Sequence, residues 1–299
     1  MRIAVTGRDG QVARALAELG SRGGHEIVAL GRPSFDLADR TTIEPALRRA
    51  VPDVVVNAAA YTAVDKAESE PEVAEAVNGT GAGAVAEAAA ALGVPVLQLS
   101  TDYVFDGAKP TPYREDDATG PLGVYGRSKL AGEHAVAEAN PRHVILRTAW
   151  VYAPYGANFV RTMLRIAATK PEVGVVADQH GCPTSALDIA ATLIGVAEKV
   201  VAEPENQELY GVFHMAARGE AMWADVAEAV FAASRERGGP ATAVKRVTTA
   251  DFPTQARRPA NSRLDCTKLS QVYGITLPEW RASLERCVGR LVGEMQAAG

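Results

Sequence analysis

The first two dozen residues narrow the fold more than any other stretch of the chain. An apolar run, Arg2–Thr6, leads into Gly7, Gly10 and Ala13 at the spacing Gly-x-x-Gly-x-x-Ala, and a helical pattern follows over Gln11–Arg22. A short buried strand, a glycine turn and a helix in that order open a βαβ unit. The alternation continues: strand-like Glu26–Leu30, helical 41–51, strand-like 53–57, a long Ala-rich helix over 72–92, strand-like 94–99, helical 125–139 and strand-like 144–146. The strands are near-continuous apolar runs, as expected of a parallel sheet covered on both faces. This pattern predicts an α/β fold with a Rossmann-type doubly wound parallel sheet over residues 1–150.

After Trp150 the rhythm loosens. Helical stretches over 158–168, 186–200, 223–237 and 278–296 alternate with strand-like 173–176 and 212–215, and Gly238-Gly239-Pro240 marks a break. Residues 151–299 are expected to form mainly a smaller C-terminal α/β substrate lobe. Segments within about 173–200 are expected to return to the first domain. The lobe would cover the sheet's carboxyl edge, where open α/β sheets bind ligands.

Composition removes several function classes. The net charge is −5, so no basic field favours nucleic acid. No apolar run approaches the ~20 residues of a membrane span, and the first strand lacks the form of a signal peptide. Cys182, Cys266 and Cys287 are too few and too scattered for a disulfide framework, which suggests a reducing cytoplasm. The five histidines, His25, His134, His143, His180 and His214, show no ligand spacing, so no metal ligands are assigned. His180 stands out only for its place in a substrate-side loop, and Cys182 reads as a small buried thiol.

Two segments carry chemistry. Ser100-Thr101-Asp102-Tyr103 follows the apolar run 94–99, and Tyr125-Gly126-Arg127-Ser128-Lys129 opens a helix. Residues four apart share a helix face, so the Lys129 ammonium can lie near the Tyr125 phenol and lower its pKa. A hydroxyl at a strand end beside such a pair is suited to moving a proton on or off a carbonyl oxygen next to a nicotinamide.

In the glycine turn, Gly7 permits the tight bend, Gly10 lets the backbone approach a pyrophosphate, and Ala13 lets helix and strand pack closely. The phosphates would sit at the helix N-terminus. The second strand ends in Leu30-Gly31-Arg32, without the acidic residue that binds ribose hydroxyls in NAD-selective sites. Arg32 could instead pair with a 2′-phosphate, favouring NADPH; the alternative is a solvated surface arginine. Asp36 and Leu37 would flank the adenine, and the small residues of Asn57-Ala58-Ala59-Ala60-Tyr61-Thr62 would let the backbone lie close to the cofactor. Arg257 and Arg258 could grip a diphosphate, or form a structural ion pair.

Together these segments resemble the extended branch of the short-chain dehydrogenase/reductase family. Within that branch, Tyr61-Thr62-Ala63-Val64-Asp65-Lys66-Ala67-Glu68, Trp150-Val151-Tyr152 and Arg257-Arg258-Pro259-Ala260-Asn261-Ser262 are the more specific matches, and they span nearly the whole chain. The resemblance implies reduction at C4 of a nucleotide-linked 4-keto-6-deoxysugar, in the step from dTDP-4-dehydro-L-rhamnose to dTDP-L-rhamnose. It assigns Tyr125 as proton donor, Lys129 as holder of the nicotinamide ribose, and Thr101 as the hydrogen-bond donor to the carbonyl oxygen. Asp102 and Trp150 resemble the sugar contacts. The cofactor pattern carries over to Gly10, Gln11, Val12, Asp36, Leu37, Ala60, Tyr61, Thr62, Leu99, Tyr125 and Lys129, although Val12 and Leu99 also read as plain core residues. Some relatives hold Mg2+ at a dimer contact, but no residues here can be assigned to one. NADH as cofactor and a homodimer both stay open. Two alternatives share the motifs: a reductase of another 4-keto sugar nucleotide, and a non-catalytic subunit like the regulatory subunit of methionine adenosyltransferase.

Overall fold

The computed structural model describes residues 1–298. Its centre is a six-stranded sheet built from β1 (Arg2–Thr6), β2 (Glu26–Leu30), β3 (Val54–Asn57), β4 (Val96–Thr101), β5 (His143–Thr148) and the strand Gly211–His214. The spatial order is Gly211–His214, β5, β4, β3, β1, β2, and every neighbouring pair is parallel. Strand side chains alternate between faces, and each face has its own apolar layer. Ile3, Val5, Val54, Val56, Leu97 and Leu146 pack with Leu16 of helix α1 (Gln11–Arg22) and with Ile189 and Leu193 of helix Ala186–Ala202. Ala4, Val55, Val96 and Ile145 face the other way, onto Ile43 and Leu47, Val85 and Ala89, and Val136. Those five come from helices Arg40–Ala50, Gly81–Ala91 and Val124–Ala139. This is the doubly wound α/β arrangement, with the order reversing at β1 and β3.

A second apolar cluster builds the smaller lobe. Helices Phe159–Ala167, Trp223–Arg235 and Trp280–Ala298 bury Met163, Val230, Phe231, Leu284 and Val288 together, beside a parallel pair of strands, Glu172–Val176 and Ala243–Val247. Segment 173–200 is divided: its strand belongs to that pair, and its helix packs on α1. Helix Thr267–Tyr273 also reaches the first domain, burying Leu269 and Tyr273 in the α1 face.

One local departure matters for the site. The stretch expected as a single helix over 72–92 is helical at Pro71–Glu75 and Gly81–Ala91, but π-helical between, at Ala76–Thr80. The widened turn lets the buried Asn78 side chain leave the helix and bind elsewhere.

Candidate active site

β4 ends on Thr101, paired in register with Thr148 of β5. The Thr101 hydroxyl accepts from the Tyr103 N–H (3.2 Å) and donates to Asp102 Oδ1 (3.0 Å), which folds the chain into the tight turn Asp102–Val104. Helix Val124–Ala139 comes down onto this turn. Glu68 Oε1 accepts from the Val124 N–H at 2.8 Å, capping the first turn from outside. A Cβ at position 126 would overlap the Tyr103 carbonyl, so Gly126 sets the closeness of helix and turn. As a result the Tyr125 and Tyr103 rings meet edge-on with centroids 5.5 Å apart, and the Thr101 hydroxyl lies beside the Tyr125 phenol.

Burial raises the Tyr125 pKa well above the ordinary phenol value; Thr101 draws it back in part, and Asp102 and Tyr103 push it further up. The phenol is therefore protonated at neutral pH, the state a proton donor needs. This corrects the expectation that Lys129 lowers it. Lys129 lies one turn deeper, 4 % exposed, and its ammonium donates to the Leu99 carbonyl of β4 at 2.7 Å. Burial pushes Lys129 down to about 8, opposed by Glu133. Glu133 is held in turn by Arg147 of β5 (Nη2–Oε2 2.7 Å, Nε–Oε1 2.9 Å) and by the Ser100 hydroxyl, a buried pair that ties the helix to β4 and β5. Asp102 is also buried, which lifts its carboxyl to about 6; the Ser262 hydroxyl of the second lobe opposes this, and Oδ2 has no hydrogen-bond partner.

The cofactor side forms where the strand order reverses. Gly7 has φ +88°, and a Cβ there would press on Ala59 at 3.1 Å, so the loops after β1 and β3 meet edge to edge. Gly10 precedes α1 with no side-chain cap, leaving first-turn N–H groups for an anion. Behind them runs a polar row: Asn57 Nδ2 donates to Gln98 Oε1 (2.7 Å), and Gln98 donates to the Leu99 carbonyl (2.8 Å). The residues fit a dinucleotide, with a glycine cradle that side chains would fill and an open helix N-terminus. Asn78 accepts from the Tyr61 N–H (2.8 Å) and donates to the Tyr61 carbonyl and to Ser128 Oγ (both 3.0 Å), locking this loop to the Tyr125 helix.

On the substrate side, Trp150 follows β5 with φ +49°. Its indole is stacked on Trp223 at 3.7 Å, and its other neighbour is Gly181, where a Cβ would overlap it. Arg258 reaches in from the second lobe. Its Nη2 donates to Asp65 Oδ2 at 2.7 Å, the guanidinium lies against the Tyr103 hydroxyl, and Nη1 is buried without a partner.

Comparison with known proteins bears on this arrangement. The family model described as RmlD substrate binding domain matches residues 1–292. The dTDP-4-dehydrorhamnose reductase of Sinorhizobium fredii is 56 % identical over 294 residues, covering 98 % of this chain and 99 % of that one. The chain belongs to the dTDP-4-dehydrorhamnose reductase family. It is an NAD(P)H-dependent oxidoreductase of the extended short-chain dehydrogenase/reductase type. The crystal structure of a dTDP-4-dehydrorhamnose reductase from Clostridium acetobutylicum superposes with a TM-score of 0.87 at 34 % identity, over 99 % of this chain and 100 % of that one. That of the Bacillus anthracis enzyme in complex with NADP gives 0.87 at 32 %, over 95 % and 97 %.

The structure gathers Thr101, Asp102 and Tyr125 in one place, with Lys129 beneath. Other expected residues stand differently. Val12 and Leu99 are core members, 8 % and 9 % exposed. Leu37 is buried, and Asp36 Oδ1 is occupied by the Ala38 N–H. Gln11 is engaged by Asn158, which donates to its Oε1 at 3.0 Å. Arg32 and Arg257 are exposed, and neither forms an ion pair among the described residues. Arg258 is paired with Asp65 rather than free. Ala60 and Thr62 flank the Tyr61 held by Asn78. Sequence reading missed Asn78, Asp65, Glu68 and Trp223 as contributors. Asp65 and Glu68 lay inside a family-specific segment, so a signal existed; Asn78 and Trp223 sat in ordinary helical patterns and had none. Among the described residues, no group of three or more His, Cys, Asp or Glu is arranged to hold a metal ion.

Proposed function

We propose that this chain reduces the C4 keto group of dTDP-4-dehydro-L-rhamnose to give dTDP-L-rhamnose, with NADPH preferred and NADH accepted. The observation that carries the reading is the meeting of the Thr101 hydroxyl, the Tyr125 phenol and the Lys129 ammonium at the carboxyl end of β4. When bound, the reduced nicotinamide supplies the hydride. The chain's own residues do the rest. Thr101, turning its hydroxyl proton from Asp102 Oδ1 to the substrate, would donate a hydrogen bond to the C4 oxygen and stabilise the charge that grows there. Tyr125 gives that oxygen its proton. Lys129 holds the ribose side of the site. Asp102 and Trp150 would line the sugar, and Arg258, with the exposed Arg257 beside it, would grip the diphosphate. Gly7, Gly10, Gln11, Ala60, Tyr61 and Thr62 would line the dinucleotide, and the exposed Arg32 at the end of β2 would meet the 2′-phosphate. Three free cysteines fit a reducing cytoplasmic setting.

The test is a side-by-side assay of the dTDP-linked keto sugar, made in situ, and the unlinked sugar, following loss of NADPH and identity of product. A nucleotide handle that positions the carbonyl makes the free sugar a very poor substrate in kcat/KM. Comparable efficiency for the two would reject the reading.

A further inference from the structure

Arg258 is aimed at the site by a residue that belongs to neither catalysis nor the substrate lobe. Asp65 lies in the short helix Val64–Ala67, which continues directly from the cofactor-side loop Tyr61-Thr62. Its two carboxylate oxygens grip one strip of the second lobe at two points: Oδ1 accepts from the Ala256 N–H (3.0 Å) and Oδ2 from Arg258 Nη2 (2.7 Å). Carboxylate and guanidinium are both only partly exposed, at 44 % and 19 % of their side-chain surface. Nη2 is held by Asp65 and the Tyr103 hydroxyl lies against the guanidinium, which together restrict its rotation, and the buried Nη1 has no hydrogen-bond partner. A buried, charged donor without an acceptor is costly unless a ligand supplies one.

The stretch 61–70 that contains Asp65 makes two other attachments and is braced by one internal hydrogen bond. Asn78 holds the Tyr61 backbone and Ser128 of the Tyr125 helix. Glu68 caps the first turn of that helix at Val124. Tyr61 is anchored by its hydroxyl to Glu70 at 2.7 Å. One stiff segment therefore touches the cofactor loop, the helix that carries Tyr125 and Lys129, and the arginine of the second lobe. We propose that Asp65 is a positioning residue for binding of the nucleotide diphosphate: it orients the Arg258 guanidinium for the anion, and it fixes Arg258 relative to the helix that carries Tyr125. This rests on the reading of Arg258 as the diphosphate contact.

The test uses dTDP alone as probe, titrated calorimetrically into the full-length enzyme, with NADPH affinity and steady-state kinetics measured in parallel. Asp65→Asn keeps an acceptor for the Ala256 amide and removes the charge that holds Arg258. We expect dTDP affinity to fall about tenfold, the size of losing one charge-assisted contact. KM for the sugar nucleotide rises to match, kcat changes far less, and NADPH affinity is unchanged. Asp65→Glu, which restores the charge on a longer stem, recovers part of the loss. In an Arg258→Gln background, Asp65→Asn should have no further effect, because the two act through one contact. If Arg258→Gln alone leaves dTDP affinity unchanged, the diphosphate reading itself falls. If Arg258→Gln weakens dTDP but Asp65→Asn does not, or if the two losses simply add, the positioning role falls while the reading survives. A drop in kcat and NADPH affinity together would mark a structural role and also overturn the proposal.

Discussion

At the residue scale, burial rather than neighbouring charge sets the protonation states. Tyr125 is raised and keeps its proton through neutral and mildly alkaline pH, while Lys129 is lowered to about 8 and loses its charge as pH rises through that value. The kcat/KM for reduction, which reports the free enzyme, should therefore fall above about pH 8 although Tyr125 is still protonated. A profile flat to pH 10 would remove Lys129 from the titrating role. Tyr125→Phe should lower kcat by about 10²–10⁴-fold with NADPH affinity intact, as single-turnover and titration measurements would read. Asp102 carries a stability consequence. Its folded-state pKa of about 6 lies above the ordinary 3.8, so the stability linked to it is complete below pH 3.8 and is lost as pH rises through 6. Asp102→Asn should then be more stable than the parent at pH 8, by up to about 3 kcal/mol. That gain should vanish near pH 4, and turnover should suffer at both. The sequence made the identity of these groups plain, since strand end and i, i+4 spacing are local properties. It could not show that Lys129 spends its ammonium on Leu99, because that contact depends on how deep the helix sits against β4.

At the element scale, the helices of the first domain were legible because periodicity and glycine punctuation are written along the chain. The interruption inside the Ala-rich stretch was not. Ala76–Thr80 has good helix formers on both sides, and its π turn exists because tertiary partners claim Asn78. Its counterpart is Gly132 on the Tyr125 helix, where a Cβ would run into the Asn78 carbonyl. Gly132→Ala, a change that helix propensity alone would favour by roughly 1 kcal/mol, should instead destabilise. Overpacking costs about 1–3 kcal/mol, and urea denaturation should show it as a lower midpoint at unchanged slope. Activity should fall as well, because the same shift loosens Asn78 from Tyr61 and Ser128. A variant more stable than the parent would mean the two helices can part at no cost, and the close approach would then have no part in placing Tyr125.

At the scale of the whole molecule, two lobes meet over the carboxyl edge, and their pairing was the least legible feature. Strand Gly211–His214 joins β5 in the main sheet after an excursion through the second lobe, while strand Glu172–Val176 pairs with Ala243–Val247 instead. Such long-range partnerships leave no mark on local periodicity. The lobes are joined at the site by an aromatic contact: Trp150, leaving β5, lies flat on Trp223 of the second lobe at 3.7 Å and 9°. Phe159 flanks Trp223 with centroids 4.6 Å apart. Gly181 packs against the Nε1, Cε2 and Cζ2 atoms of the Trp150 indole with no room for a side chain, so the indole is restrained by both neighbours. A stacked aromatic pair contributes about 0.5–1.5 kcal/mol beyond its buried area, which corresponds to a loss of up to about tenfold in binding if the ordered indole is what receives the sugar. Trp223→Ala should therefore raise KM for the sugar nucleotide by that order and leave NADPH affinity unchanged, since Trp223 packs in the second lobe and the glycine cradle lies between β1 and α1 of the first domain. Trp223→Phe, which keeps an aromatic face under Trp150, should recover most of the loss. Equal damage from both substitutions, or a fall in NADPH affinity alongside, would show that Trp223 supports the lobe as a whole rather than the orientation of Trp150.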